Sequence, residues 1–253
     1  MGKVVLITGA TSGIGEACAH RFAKEGYDLI VTGRRRERLG SLKEKLEKEF
    51  NAIVYPLVFD IRNKKEVIES ISSLNSDWHN IDVLINNAGL SQGLDPIHEG
   101  DTDDWDTMID TNIKGLLYIS NAIIPLMLKN GKGHIINIGS IAGKEVYPKG
   151  NVYSATKHAV DALTKGMRLD LMKKNIKVTQ VAPGAVKTEF SFVRFKGDEE
   201  RAGKVYDGYK PLDPEDIAEV THYTTTLPDH VNINDVLVMP VAQANATTFD
   251  KDR

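Results

Sequence analysis

One cysteine, Cys18, stands in 253 residues, so no internal disulfide can form and the fold must rest on its own core, as suits a reducing cytosol. No apolar run reaches the roughly 20 residues that a membrane-spanning helix needs. The opening Met-Gly-Lys-Val-Val-Leu is too short an apolar run for a secretory signal. Gly2 does not read as a myristoylation site, because Leu6 stands where that motif wants Ser or Thr. A basic excess is also missing. The 32 Lys and Arg against 35 Asp and Glu leave a net charge of −3, which argues against a general nucleic-acid or anionic-membrane binder. Low-complexity segments, linkers, metal-ligand spacings and repeats beyond a strand-helix rhythm are absent too. With 41% hydrophobic and 26% charged residues, the chain reads as a cytoplasmic, soluble single domain over 1–253 with a substantial core.

Apolar runs and helical stripes alternate along it. Lys3 to Ile7 is a β-branched run ending in a glycine-rich turn, and Ile14, Ala17, Cys18 and Phe22 follow at helical spacing. Further strands are expected at Asp28 to Thr32, Ala52 to Phe59, Ile81 to Ile85, His134 to Ile138, Lys177 to Val181 and Asp235 to Met239. Helices fall between them, including a long one from about Trp105 to Leu128 and another over 151–174. Continuous apolar strands alternating with helices imply a doubly wound parallel sheet of about seven strands, an α/β Rossmann-type fold with helices on both faces. Glu189 to Tyr209 is charged with scattered aromatics. It fits a lid over a site, here 189–210, and equally a surface excursion.

Tyr153 and Lys157 sit one helical turn apart on the same face. A fixed cation near a phenol moves its pKa down from about 10 and makes a general base; a ring packed on a lysine stem gives the same spacing. The turn Thr8-Gly9-Ala10-Thr11-Ser12-Gly13-Ile14-Gly15 joins a strand to a helix, where backbone amides and the helix dipole suit a pyrophosphate. A tight turn with no ligand would look alike. After the second strand come Arg34, Arg35 and Arg36. Three cations at a helix N-terminus oppose its dipole unless an anion is bound, and an NADP 2′-phosphate is such an anion. Arg36 is better read as a solvated charge beside Glu37. Asp60 and Ile61 suit the adenine amine and ring, with helix capping by Asp60 as the alternative.

Asn87-Ala-Gly89, Asn112 and Ser140, thirteen residues before Tyr153, complete a set that resembles the short-chain dehydrogenase/reductase family from Thr8 to about Thr188. The resemblance implies an NADP-linked oxidoreductase. In it Ser140 holds the substrate oxygen and Tyr153 exchanges the hydroxyl proton. Lys157 lowers the Tyr153 pKa and binds the nicotinamide ribose, and Asn112 holds a water of the proton relay, unless Asn112 is simply a buried helix-bending residue. Asn87 and Gly89 then contact the cofactor beside the nicotinamide, and Pro183, Gly184, Val186 and Thr188 cover its carboxamide. Family members are commonly homotetramers, which implies interfaces on the helices at 105–128 and 151–174.

Thr188-Glu-Phe-Ser-Phe-Val-Arg-Phe-Lys-Gly197, Asn232-Ile-Asn-Asp and Met239-Pro240 are similar to a subgroup acting with NADP on short 3-hydroxy acids: serine, allo-threonine and 3-hydroxyisobutyrate-like compounds, or malonic semialdehyde in reverse. A carboxylate substrate needs a cation, and Arg194 offers a fork for both oxygens. Pairing of Arg194 with Asp198 or Glu199 is the alternative. Reduction of ketones or 3-oxoacyl thioesters, and redox sensing without turnover, are the rival readings.

Overall fold

Strict alternation of side chains along β1 (Val4–Ile7) already divides the protein into two cores. Val5 and Ile7 face one layer, Val4 and Leu6 the other, and all four are buried. The computed structural model describes residues 2–252. The remaining strands are β2 (Asp28–Gly33), β3 (Val54–Val58), β4 (Ile81–Asn86), β5 (Gly133–Ile138), β6 (Ile176–Pro183) and β7 (Asp235–Val238). They form one seven-stranded sheet in the order β3-β2-β1-β4-β5-β6-β7, and every pairing is parallel.

Helices α1 (Gly13–Lys24), α2 (Arg36–Phe50) and a late helix at Pro214–Thr225 cover one face through Phe22, Leu39, Leu46 and Ile217. Helices α3 (Lys64–Ser72), α5 (Leu116–Asn130) and α6 (Asn151–Leu171) serve the other face, with Val67, Ile71, Ile119, Ile123 and Leu171 in its core, while α4 (Thr102–Ile109) packs Met108 in a smaller cluster with Ala142 and Tyr153. Two short helices, α7 (Phe190–Arg194) and α8 (Glu199–Lys204), occupy the expected lid, and Pro214–Thr225 is therefore α9. Cys18 is fully buried on the α1 stripe, where burial pushes its thiol up to about 12. It is core packing.

The chain runs outward from β1 to β3, then returns to place β4 on the other side of β1. Loops leaving the C-terminal ends of β1 and β4 therefore diverge, and that switch point opens a crevice. Strand ends differ from the sequence reading by one or two residues, and the two long helices differ more. The long helix expected over 105–128 starts at Thr102, where Asp101 accepts a hydrogen bond from Asp103 N at 3.0 Å, and is broken by a π-helical turn at Asp110–Gly115. The helix of Tyr153 ends at Leu171 and tightens into a 3₁₀ turn at Met172–Lys174, closed by Asn175 at φ 54°.

Candidate active site

A cavity of about 340 Å³ follows the crevice from the glycine turn to the start of α6. At one end lie Gly9, Thr11, Ser12, Gly13 and Ile14; at the other, Ser140, Tyr153 and Lys157. Ser12 precedes α1 but makes no capping bond with its side chain, so the first-turn amides are left to the cavity. A Cβ on Gly15 would sit 2.3 Å from Gly9 O and 2.4 Å from Asn87 Nδ2, so only glycine permits this turn. Ala10 and Gly15 stand behind the lining: Ala10 is buried in the core and its N–H donates to Thr32 O at 3.0 Å.

Asn87 lines the cavity, yet its amide is engaged on the turn, donating to Thr8 O at 2.9 Å and Gly9 O at 3.1 Å. It braces the glycine turn. Gly89, Pro183, Gly184, Val186 and Thr188 all border the same space.

Where β2 ends, Arg34, Arg35, Asp60 and Ile61 close the cavity. Arg35 donates to Thr11 Oγ1 at 3.0 and 2.7 Å and to Ser12 Oγ at 2.8 Å, which ties the cationic cluster to the glycine turn. Asp60 is not a helix cap. Asn63 caps α3, accepting from Lys65 N and Glu66 N. Asp60 instead takes a bidentate grip from Arg62, with Arg34 at 3.9 Å. Burial opposes ionisation of Asp60, but the Arg62 and Arg34 contacts hold its carboxyl below the usual range. Arg36 is exposed, as the sequence reading has it. The set fits a dinucleotide carrying an extra phosphate at the β2 end: an open helix N-terminus, a close-approach glycine turn and a cationic rim.

Ser140 follows β5 and its Oγ accepts from Ala142 N at 3.1 Å, capping a 3₁₀ turn at Ile141–Gly143. That turn packs hard on α6, for a Cβ on Gly143 would lie 2.6 Å from Lys157 O. Tyr153 is 8% exposed. Burial pushes its phenol up to about 12 and the Tyr147 phenol adds to this, while the Arg194 cation and the Ser140 hydroxyl pull it down. Lys157 is 6% exposed, its ammonium donates to Ile138 O at 3.0 Å, and burial pushes it down to about 8. The cation acting on the Tyr153 phenol in this arrangement is thus Arg194; Lys157 is turned to the end of β5.

Asn112 lies inside the π-helical turn, so the helix does distort there. Its Oδ1 accepts from Leu90 N at 2.9 Å, and its Nδ2 donates to Leu90 O at 2.8 Å and Thr156 Oγ1 at 3.0 Å. The side chain therefore clamps the loop after β4 to α6, one residue from Lys157.

Arg194 does not pair with Asp198 or Glu199. Asp198 caps α8 through Arg201 N, and among the described residues no carboxylate lies within ion-pair distance of Arg194. Its Nε donates to Ser91 Oγ at 3.0 Å and its Nη2 to Tyr147 OH at 2.8 Å. The guanidinium carbon stands 5.2 Å from the Tyr153 ring centre and 5.0 Å from that of Phe190. It reaches the Tyr153 end of the crevice from behind these rings and does not line the main cavity.

Sequence reasoning missed Ser91, Tyr147, Arg38, Arg62 and Glu189. Arg38 was within reach, since it lies one helical turn from Arg34 and Arg35. Ser91 and Tyr147 gave no periodic or motif signal. Among the described residues there is no cluster of His, Cys, Asp and Glu able to hold a metal ion, and no helix long and apolar enough to cross a membrane.

The short chain dehydrogenase family model matches residues 3–198. The chain is 50% identical over 244 residues to the NADP-dependent 3-hydroxy acid dehydrogenase YdfG of Salmonella typhi, covering 96% of this chain and 97% of that protein. It is 45% identical over 254 residues, the full length of both, to sulfoacetaldehyde reductase 2 of Chromohalobacter salexigens. Among solved structures it is similar to the closed form of a serine dehydrogenase complexed with NADP+, with a TM-score of 0.91, 46% identity and 98% of each chain covered. The serine dehydrogenase of Escherichia coli follows at a TM-score of 0.83 and 43% identity, covering 95% of this chain and 99% of that one. With its glycine turn, its serine, tyrosine and lysine at one end of a common crevice and these relatives over its whole length, the chain belongs to the short-chain dehydrogenase family.

Proposed function

We propose that the protein is an oxidoreductase that uses NADP and acts on the 3-hydroxyl of short 3-hydroxy acids of the serine, allo-threonine, 3-hydroxyisobutyrate or 3-hydroxypropionate type. NADP supplies the hydride chemistry when bound. Gly9 to Gly15 hold its pyrophosphate, Arg34 and Arg35 its 2′-phosphate, Asp60 and Ile61 its adenine, and Asn87, Gly89 and Pro183 to Thr188 its nicotinamide half. Ser140 holds the substrate oxygen, Tyr153 exchanges the hydroxyl proton, Lys157 orients the ribose, and Asn112 fixes the loop and helix around them.

The observation that carries the substrate reading is Arg194, a guanidinium 5.2 Å from the Tyr153 ring with no carboxylate partner among the described residues. Its Nε and Nη2 are held by Ser91 and Tyr147, so a turn of the side chain past the Tyr153 and Phe190 rings would bring its remaining donors to the substrate's own carboxylate. Arg194→Ala should raise the Michaelis constant for L-serine or 3-hydroxypropionate by about 10- to 100-fold, the worth of a charge-assisted hydrogen bond, and that for an uncharged alcohol far less. Equal effects on both would end the proposal. A sulfonate two carbons from the alcohol presents a similar anion, and the likeness to a sulfoacetaldehyde reductase over the full chain favours including it in the substrate panel. Ketones and thioesters in that panel separate the 3-oxoacyl reading, and tight NADPH binding without any turnover would favour a sensor.

For the cofactor, Arg34→Glu should weaken NADPH by about 10- to 100-fold by removing a charge-assisted contact and adding repulsion. NADH should change little; equal losses in titrations with both would remove the 2′-phosphate assignment. A homotetramer is also proposed, because Leu117 and Leu128 on α5, Leu169 on α6 and Met172 just beyond it are exposed apolar side chains. Light scattering that returns the mass of one chain contradicts it. The single buried thiol and the lack of any spanning helix among the described residues accord with a place in the cytoplasm, which fractionation of cells tests.

A further inference from the structure

We propose that Glu189 is a specificity-determining residue of the cofactor site, a lid carboxylate that competes with the 2′-phosphate of NADP(H) for Arg35 and Arg38. The inference rests on the assignment of the arginine cluster as the 2′-phosphate clamp. Glu189 stands at the start of the lid, immediately after Thr188, and borders the main cavity. Its Oε2 accepts from Arg35 Nη1 at 2.9 Å and its Oε1 from Arg38 Nη1 at 2.6 Å, across 154 and 151 residues of chain. Burial opposes ionisation of Glu189, but the hydrogen bonds from Arg35 and Arg38 hold its carboxyl below the usual range. It is an anion where an anion is expected.

Arg35 has every guanidinium nitrogen engaged: Nη1 on Glu189, Nε on Thr11, and Nη2 on Thr11 and Ser12. Four of its five N–H donors are in use, so a phosphate gripped by two of them must displace a partner, and among these partners Glu189 is the charged one. Asp60 is answered by Arg62. Arg34, Arg35 and Arg38 against the Glu189 carboxylate therefore retain two positive charges, close to the charge of a phosphate monoester at neutral pH. Removing the carboxylate leaves a third cation and no repulsion, so the phosphate should bind tighter. A nucleotide lacking the phosphate gains nothing.

Coupling between the two anions is reciprocal. A bound 2′-phosphate weakens the grip of Arg35 and Arg38 on the lid, and a latched lid weakens the phosphate, which favours cofactor exchange. Stability hardly enters, because the side chains of Arg35, Arg38 and Glu189 are 41%, 50% and 42% exposed and exposed pairs contribute little.

The test uses the full chain and two adenosine fragments, 2′,5′-ADP and 5′-AMP, which reach the clamp without touching the nicotinamide end. In Glu189→Gln, calorimetry should show 2′,5′-ADP binding about 3- to 10-fold tighter as a neighbouring like charge is removed, with 5′-AMP affinity unaltered. Trypsin should cleave faster within 189–210 in this variant and in Arg38→Met, which removes the latch from its other side. Unchanged or weaker 2′,5′-ADP binding in Glu189→Gln overturns the competition, and unchanged cleavage in both variants overturns the latch. If Arg34→Glu fails to separate 2′,5′-ADP from 5′-AMP in the same assay, the clamp assignment itself falls and the inference falls with it.

Discussion

Tyr153→Phe should lower turnover of a hydroxy acid by about 10²- to 10⁴-fold, the usual worth of a positioned acid or base, while NADPH binds as before. The change removes one oxygen. Tyr153 is 8% exposed and its ring packs on Phe190 at 5.5 Å between centres, so phenylalanine keeps the packing and loses only the hydroxyl. A phenol pushed up to about 12 by burial is protonated at neutral pH, ready to donate to a carbonyl in the reductive direction. As a base it must first ionise, so the rate of oxidation should climb from neutral to alkaline pH and that of reduction should not. Stopped-flow rates in both directions, with NADPH fluorescence titration as the control, check this. A variant with undiminished turnover would refute the assignment.

Lys157→Met should make the cofactor-free protein more stable and far less active. A buried ammonium with one carbonyl partner, Ile138 O at 3.0 Å, is poorly compensated, and relief of such burial is worth about 1–3 kcal/mol. For a chain of this size that is a rise of roughly 2–10 °C in Tm. Turnover should fall by about 10²- to 10³-fold, as for the loss of one preorganised donor. Linkage gives a second reading of the same group. Its pKa is lowered to about 8 in the folded protein against about 10.4 in the unfolded chain, so between these values the unfolded chain binds more protons. Its contribution to stability therefore rises with pH across that window and is flat below it; Lys157→Met should remove the slope. Thermal melts across the window decide it, and a variant less stable than wild type at pH 7 contradicts the burial argument.

The sheet was legible because its central strands are buried on both faces and read as apolar runs, as Val4 to Ile7 does throughout and Ile81 to Ile85 does apart from Asp82. The π-helical turn at Asp110–Gly115 was not, since one extra residue per turn leaves the apolar stripe on either side nearly intact. Spacing placed Tyr153 and Lys157 on one helical face but did not say where the ammonium points, and it points to Ile138. Arg34 and Arg35 stood out through a helix dipole that lacked its anion, and both border the cavity. Glu189, the carboxylate that meets Arg35 and Arg38, was hidden because only the tertiary fold brings residues some 150 positions apart together. Ser91 and Tyr147, the partners of Arg194, were hidden for the same reason.

The most direct measurement of the central claim is the rate of NADPH formation over a panel of small hydroxy acids, with NAD+ as the paired control. L-serine or 3-hydroxypropionate should be turned over with NADP+, far more slowly with NAD+, and not measurably in Tyr153→Phe. Tight NADPH binding with no turnover of any hydroxy acid, or equal rates with the two cofactors, would contradict that claim.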